Sequence, residues 1–293
     1  MDTPFRFEFV AAPEDLAGYV NTLFVFRTDL EQLDDILPAY SAQMMAFGLG
    51  SARMQLGKGQ FAESDSAFFL SPMQSAAAFS MTGPVRACGV SLTALGWAAL
   101  SQLPVDTYGH RKIAASAILG QEDAAAMAET GMAFAAERLE AASACERLAD
   151  IVRRNITPVR LNHAAFIDAA MAWLSSSFSP DLADLAEETG LSERQIQRLC
   201  KRYFGKPPTT LVRRYRAIRA ATLLSQPNLE PSATEEITGA FFDQSHMIRD
   251  IRHYTGRTPK SLRDTGPSVT TDTLGPEGYG VVDLFGSGSE AAE

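Results

Sequence analysis

Apolar positions in the first hundred residues fall in short clusters separated by turn-forming residues. Phe5, Phe7 and Phe9 alternate with Arg6 and Glu8, the period-two pattern of a strand with one buried face. Similar apolar runs follow at 20–26, 43–49, 67–70 and 85–92. Pro38, Gly48, Gly50, Gly57, Gly59, Ser71-Pro72 and Gly83-Pro84 punctuate them. The pattern predicts several short strands in a sandwich or small barrel. Helical spacing takes over near Thr93 and is clearest in the Ala-rich stretch 121–155, which Pro158 closes.

The period changes again in LADLAEETGLSERQIQRLCKRYFG, residues 182–205. Leu182, Leu185, Ala186 and Thr189 stand at i, i+3, i+4 and i+7, one buried face of a short helix. Gly190 sits where the chain must turn, and Ser192 is a good N-cap for a second helix. Ile196, Leu199, Cys200 and Tyr203 repeat the buried stripe, which leaves Arg194, Gln195, Gln197, Arg198, Lys201 and Arg202 outside. Two short helices, a glycine turn and an outer face of Arg and Gln fit a helix-turn-helix with its recognition helix. Arg reads guanine and Gln reads adenine by paired hydrogen bonds in the major groove, whereas Lys at the rim suits a phosphate. The plainer alternative is an αα-hairpin with a charged solvent face.

After Lys206-Pro207-Pro208 comes a run of helix-forming composition, 209–224. A second unit weakly duplicates the first, about 234–259 against 182–208. Asp243 is its N-cap; Met247, Ile251 and Tyr254 face inward. Gln244, Ser245, His246, Arg249, Arg252 and His253 point outward, and Gly256 and Pro259 close the helix as Gly205 and Pro208 close the first.

Charge sharpens this picture. The chain has 293 residues, enough for about two domains, and its net charge of −9 looks wrong for a nucleic-acid binder until it is divided. Residues 160–263 hold 15 Lys and Arg against 11 Asp and Glu, and the rest of the chain holds 11 against 24. Within 192–219 nine residues are basic and one is acidic. Such asymmetry points to a nucleic-acid-facing module attached to an acidic domain.

Other chemistries find little support. No run approaches the roughly 20 apolar residues of a membrane span, and the first residues, MDTPFRFEFVAAPEDL, do not read as a secretory signal. Three distant cysteines make no disulfide framework, so a soluble, cytoplasmic protein without a membrane partner is expected, nucleoid-associated when bound to DNA. His110 is the one histidine of the N-terminal region, too few for a metal-binding barrel. There is no nucleophile elbow and no phosphate-binding glycine loop. Cys88 and Cys200 fall on buried positions, where a thiol is packing. No catalytic residue, metal or cofactor is expected.

Four segments carry a family resemblance: A-E-E-T-G-L-S (186–192), R-L-C-K-R-Y-F-G-K-P-P (198–208), R-A-I-R-A-A-T-L-L (216–224) and F-D-Q-S-H-M-I-R-D-I-R-H-Y-T-G-R-T-P (242–259). In order and spacing they resemble the AraC/XylS family of transcription regulators, whose DNA-binding domain joins two helix-turn-helix units by a long helix. The resemblance spans about a hundred residues. It implies base-reading positions at Arg194, Gln197 and Arg198 in the first unit, and at Gln244, Ser245, His246, Ile248 and Arg249 in the second. Gln195, Lys201, Arg202 and Arg252 complete the expected DNA surface. The second unit departs from the family's Ala-x-x-x-Gly-Phe turn, which here reads Glu236-Ile237-Thr238-Gly239-Ala240-Phe241. Glu236 at a packed small-residue position and Ala240 at the turn predict a shifted, shortened or poorly formed helix. The first unit is then expected to supply most of the discrimination, while the second positions the domain about 34 Å along the duplex.

The expected architecture is α+β. A β-rich sensor or dimerisation domain spans 1–120 and resembles the cupin-like barrels or related modules that precede such DNA-binding domains. A helical connector spans 121–160, an all-α domain with two helix-turn-helix units spans 161–264, and an acidic tail, 265–293, is expected to be disordered. The expected function is sequence-specific regulation of transcription, modulated through the N-terminal domain. The alternative is a partner-binding regulator whose N-terminal domain docks another protein and whose DNA module is weak alone. Double-stranded DNA is the expected partner. Ala124, Ala125, Ala128, Ala133 and Ala136 permit close helix approach and suggest a homodimer. RNA polymerase and a small-molecule effector are the further partners such a regulator implies.

Overall fold

The computed structural model describes residues 4–39, 41–226, 231–264, 266, 268–275 and 278. Its contacts divide the chain into two units, one of residues up to 103 with 108–159, the other from 160 onward with 104–107.

The alternating N-terminal pattern pairs as one antiparallel sheet. Its strands are β1 (Arg6–Ala11), β2 (Val20–Thr28), β3 (Gln32–Leu37), β4 (Gln43–Gly57), β5 (Gln60–Glu63), β6 (Ala67–Leu70), β7 (Ala77–Leu92) and β8 (Lys112–Ala114). The order is β1-β2-β7-β4-β6-β8, with β3 also paired to β7 and β5 to β4. Phe7 stands opposite Phe26 and Phe9 opposite Phe24, so four phenyl rings share one face. Val25, Cys88 and Ala46 line up on the other face.

Helices α1 (Ala94–Ser101) and α2 (Val105–Tyr108) precede α3 (Ser116–Ala135) and α4 (Ala141–Asn155). The α3 helix lies against β4 through Gly131, which rests on Ala46. A Cβ on Gly48 would fall 1.9 Å from the Gly131 carbonyl oxygen, so strand and helix meet at a distance only glycine permits. Met127, Phe134, Leu148 and Val152 bury in the same unit. The segment read as a connector is thus part of the N-terminal fold, and Gly131 and Ala133 serve packing inside it.

Two long strands depart from the sequence reading. The β4 and β7 strands run through Gly48, Gly50 and Gly83-Pro84, which read as turns in the sequence. The register shifts between Phe47 and Leu49 and again between Leu49 and Ser51, so these positions bend the strand at bulges without ending it. The β3 and β5 strands do not show in the apolar pattern; both are short and carry acidic or polar residues.

The second unit is all helical: α5 (Leu161–Ser176), α6 (Leu182–Thr189), α7 (Glu193–Phe204), α8 (Pro208–Leu224), α9 (Pro231–Gly239), α10 (Gln244–Thr255), α11 (Pro259–Asp264) and α12 (Val269–Leu274). The α+β class and the two helix-turn-helix units stand as read. Two expectations do not. The α9 helix forms, with Ile237 buried and Glu236 exposed to water, so the carboxylate carries no burial cost. Residues 269–274 of the expected disordered tail are helical. Ser268 caps them through its Oγ, which accepts from the Thr271 N–H at 3.1 Å, and Val269 and Leu274 are buried. Residues 281–293 lie outside the described residues.

Candidate nucleic-acid interface

The first recognition helix is set by its own ends. Gly190, at φ 64°, ends α6 in the left-handed region that a side chain disfavours. Two residues on, the Gln195 Oε1 accepts from the Ser192 N–H at 3.0 Å and from the Ser192 Oγ at 2.7 Å. This reciprocal cap starts α7. Gln195 is therefore engaged in building the helix, although its side chain stands on the exposed face. Ile196, Leu199, Cys200 and Tyr203 are buried as the spacing predicts, with Phe204 beside them. Arg194, Gln197, Arg198, Lys201 and Arg202 are exposed together.

The helix is pinned from behind. The Tyr203 hydroxyl and His163 Nδ1 on α5 lie 2.6 Å apart in a hydrogen bond. Partial burial pushes the His163 imidazole below its ordinary proton affinity, and the positive charges of Arg160, Arg202 and Arg198 push it further.

The α8 helix alters the charge reading. Four of the nine basic residues counted in 192–219 lie on it, and the structure turns them to structural work. Arg216 donates through Nε to the Phe178 carbonyl at 2.9 Å and through Nη2 to Ser179 Oγ at 2.8 Å. Arg219 lies 4.6 Å over the Phe178 ring and donates to the Ser175 carbonyl. Arg214 is buried, and Arg213 pairs with Asp250 of α10. The exposed basic set of the first unit is accordingly Arg194, Arg198, Lys201, Arg202 and Lys206.

The second recognition helix begins at Asp243. Its Oδ1 accepts from the His246 N–H at 2.8 Å, and its Oδ2 lies 2.8 Å from His246 Nδ1. These contacts, the backbone N–H first, hold the Asp243 carboxyl below its ordinary value. Gln244, Ser245, His246, Arg249, Arg252 and His253 are exposed as read, and Ile248 is 38% exposed on the same helix. Ile251 and Tyr254 are buried, while Met247 is half-buried. Two participants escaped the sequence reading. Asp250 is buried, and Phe242, one residue before the cap, is 92% exposed. The signal for Asp250 lay in the spacing, since 247, 250, 251 and 254 complete an i, i+3, i+4, i+7 stripe.

Elsewhere, burial pushes the thiols of Cys88, Cys145 and Cys200 up to about 12, so none of them is a ready thiolate. Among the described residues no group of three or more His, Cys, Asp or Glu side chains is placed to hold a metal ion. No described helix is long and apolar enough to cross a membrane.

A helix-turn-helix domain family matches residues 185–265. No curated protein matches the chain. Among solved structures, ToxT from Vibrio cholerae is 11% identical with a TM-score of 0.43, covering 90% of this chain and 100% of that one. ToxT from Vibrio cholerae O395 bound to (E)-4-(8-methylnaphthalen-1-yl)but-3-enoic acid is 13% identical with a TM-score of 0.44, covering 89% and 98%. The AraC-like transcriptional activator CuxR is 13% identical with a TM-score of 0.30, covering 74% and 86%. The matched segment falls on two helix-turn-helix units in series, α6–α7 and α9–α10, so this part of the chain carries a helix-turn-helix domain.

Proposed function

We propose that this regulator reads two successive major-groove segments of double-stranded DNA, one with α7 and one with α10. The observation that carries this is the division of α7. Its apolar stripe is fully buried, and Arg194, Gln197 and Arg198 stand together on the outer face as donors matched to purine edges. Lys201 and Arg202, a turn further on, suit the phosphate backbone. On α10 the corresponding groups are Gln244, Ser245, His246, Ile248 and Arg249, with Arg252 at the rim. Because Glu236 is exposed and α9 is formed, the physical reason for demoting the second unit is gone, and both helices take part in reading sequence.

Selection of duplexes from a random pool by the full-length protein tests this, followed by binding measurements across a salt series. A bipartite preferred site and a steep fall in affinity with salt are expected. Arg198→Ala should cost about 1–3 kcal/mol of specific binding and relax preference at one base position. Unchanged affinity and unchanged preference would overturn the docking of α7.

The N-terminal β-rich domain, in the same reading, carries the regulation, by dimerising and by receiving a small-molecule effector. Contact with RNA polymerase completes the proposal. Light scattering of the full chain, with and without DNA, tests the dimer, and a monomer mass in both states would refute it.

A further inference from the structure

Phe242 is not explained by the capping of α10. It stands one residue ahead of the Asp243 cap, where an apolar side chain ordinarily folds back onto the residue five along, here Met247, and fixes the entry of the chain. Phe242 does not do this, because it is 92% exposed. Its ring instead meets that of His246 edge-on, with centroids 5.8 Å apart and planes at 87°. His246 is in turn held by both oxygens of Asp243. A chain of contacts thus runs from the cap to the imidazole to the phenyl ring, and it sets a bare aromatic group at the leading tip of α10, on the side that His246 occupies.

The leading residues of a recognition helix are the ones that reach base edges. The carboxylate at this tip is engaged with His246, so beside the exposed polar Gln244 and Ser245 the tip offers one apolar group, the Phe242 ring. The apolar group on a base edge in the major groove is the C5 methyl of thymine. We propose that Phe242 is a specificity-determining contact whose ring packs on the methyl of one thymine in the segment read by α10. This rests on the reading of α10 as the second base-reading helix. It gives the second unit a base preference of its own, made by apolar contact.

The test starts from the duplex that the full-length protein selects from a random pool. Each thymine is replaced singly by deoxyuridine, which removes the methyl alone. One replacement, confined to one of the two segments, should weaken wild-type binding about fourfold, the worth of one buried methyl group. Phe242→Ala should bind the thymine and deoxyuridine duplexes equally and select sites without that thymine. Phe242→Leu should keep part of the preference. Since the ring is exposed, the melting temperature of Phe242→Ala should match that of wild type, which separates lost contact from lost fold. Wild type indifferent to every replacement, or Phe242→Ala with the wild-type site and penalty, would overturn the inference. Uniform weakening without thymine dependence would place the ring on the sugar-phosphate backbone and overturn it too. A pool yielding no preferred sequence would overturn the DNA reading itself, whereas a bipartite site without thymine dependence defeats this inference alone.

Discussion

Arg213 on α8 holds Asp250 on α10 with two hydrogen bonds, Nη2 to Oδ1 at 2.7 Å and Nε to Oδ2 at 3.3 Å. The carboxylate is 7% exposed and the arginine side chain 53%. A forked pair of this kind fixes orientation as well as distance. It therefore sets how the second recognition helix sits on the long helix between the two units.

Removing the two partners should not be equivalent. Arg213→Ala strands a buried carboxylate and should lower stability by about 1–3 kcal/mol. Asp250→Asn keeps a polar side chain of the same shape and leaves a half-exposed arginine that water can solvate, so its loss should be smaller. Denaturant unfolding of both variants measures this. Equal losses would mean that the carboxylate is not the costly member of the pair.

Basic residues on neighbouring helices should separate into two kinds. Lys201→Ala should reduce the slope of log affinity against log salt by about one and leave melting unchanged. Arg216→Ala should lower the melting temperature, through the lost contacts to Phe178 and Ser179, and leave that slope as it was. The opposite assignment would refute the view of α8 as a scaffold.

Acid should loosen the helical domain through His163. Its folded proton affinity lies below the ordinary value of 6.5, chiefly through burial, so the fold favours the neutral ring. The unfolded chain takes up the proton more readily. This contribution is complete above pH 6.5 and is lost as the pH falls through the folded value. Melting temperatures between about pH 5 and 8 should show this fall, to which His253, lowered by burial as well, adds in the same direction, and His163→Gln should make it shallower. An unaltered profile in the variant would remove His163 as its source.

Gly48→Ala should destabilise the first unit by about 1–3 kcal/mol, since the new methyl meets the Gly131 backbone. Gly131→Ala should cost less, because its Cβ would stand 3.1 Å from the nearest atom of Ala46. Thermal unfolding of the two variants ranks them, and the reverse order would contradict the packing of α3 on β4.

The stripes of α6 and α7 were legible because local spacing alone decides them. Ile196, Leu199, Cys200 and Tyr203 bury wherever a helix of that sequence finds a core. For Asp250 the spacing carried the inward position but not the reason for it, because a carboxylate there makes sense only with Arg213, 37 residues away, in place. The arginines of α8 misled for the same reason. Composition assigns them to solvent or DNA, whereas the partners of Arg216 are at 178, 179 and 241. Gly83-Pro84 read as a turn because such pairs usually are one, but β4 and β3 hold β7 on either side of it. Site geometry was therefore visible where it is local, and hidden where it depends on a distant partner.

The anchoring of α10 to α8 also makes the long helix a gauge. In the proposed reading both base-reading helices are fixed to one rod, α7 by direct packing and α10 through the Arg213–Asp250 fork. One extra base pair between the two DNA segments would carry the second about 3.4 Å along the axis and about 35° around it. Neither displacement can be followed while the fork stays closed. In that reading the gap between the two boxes of a target site is a constant of this protein, measured out by α8 before any base is touched.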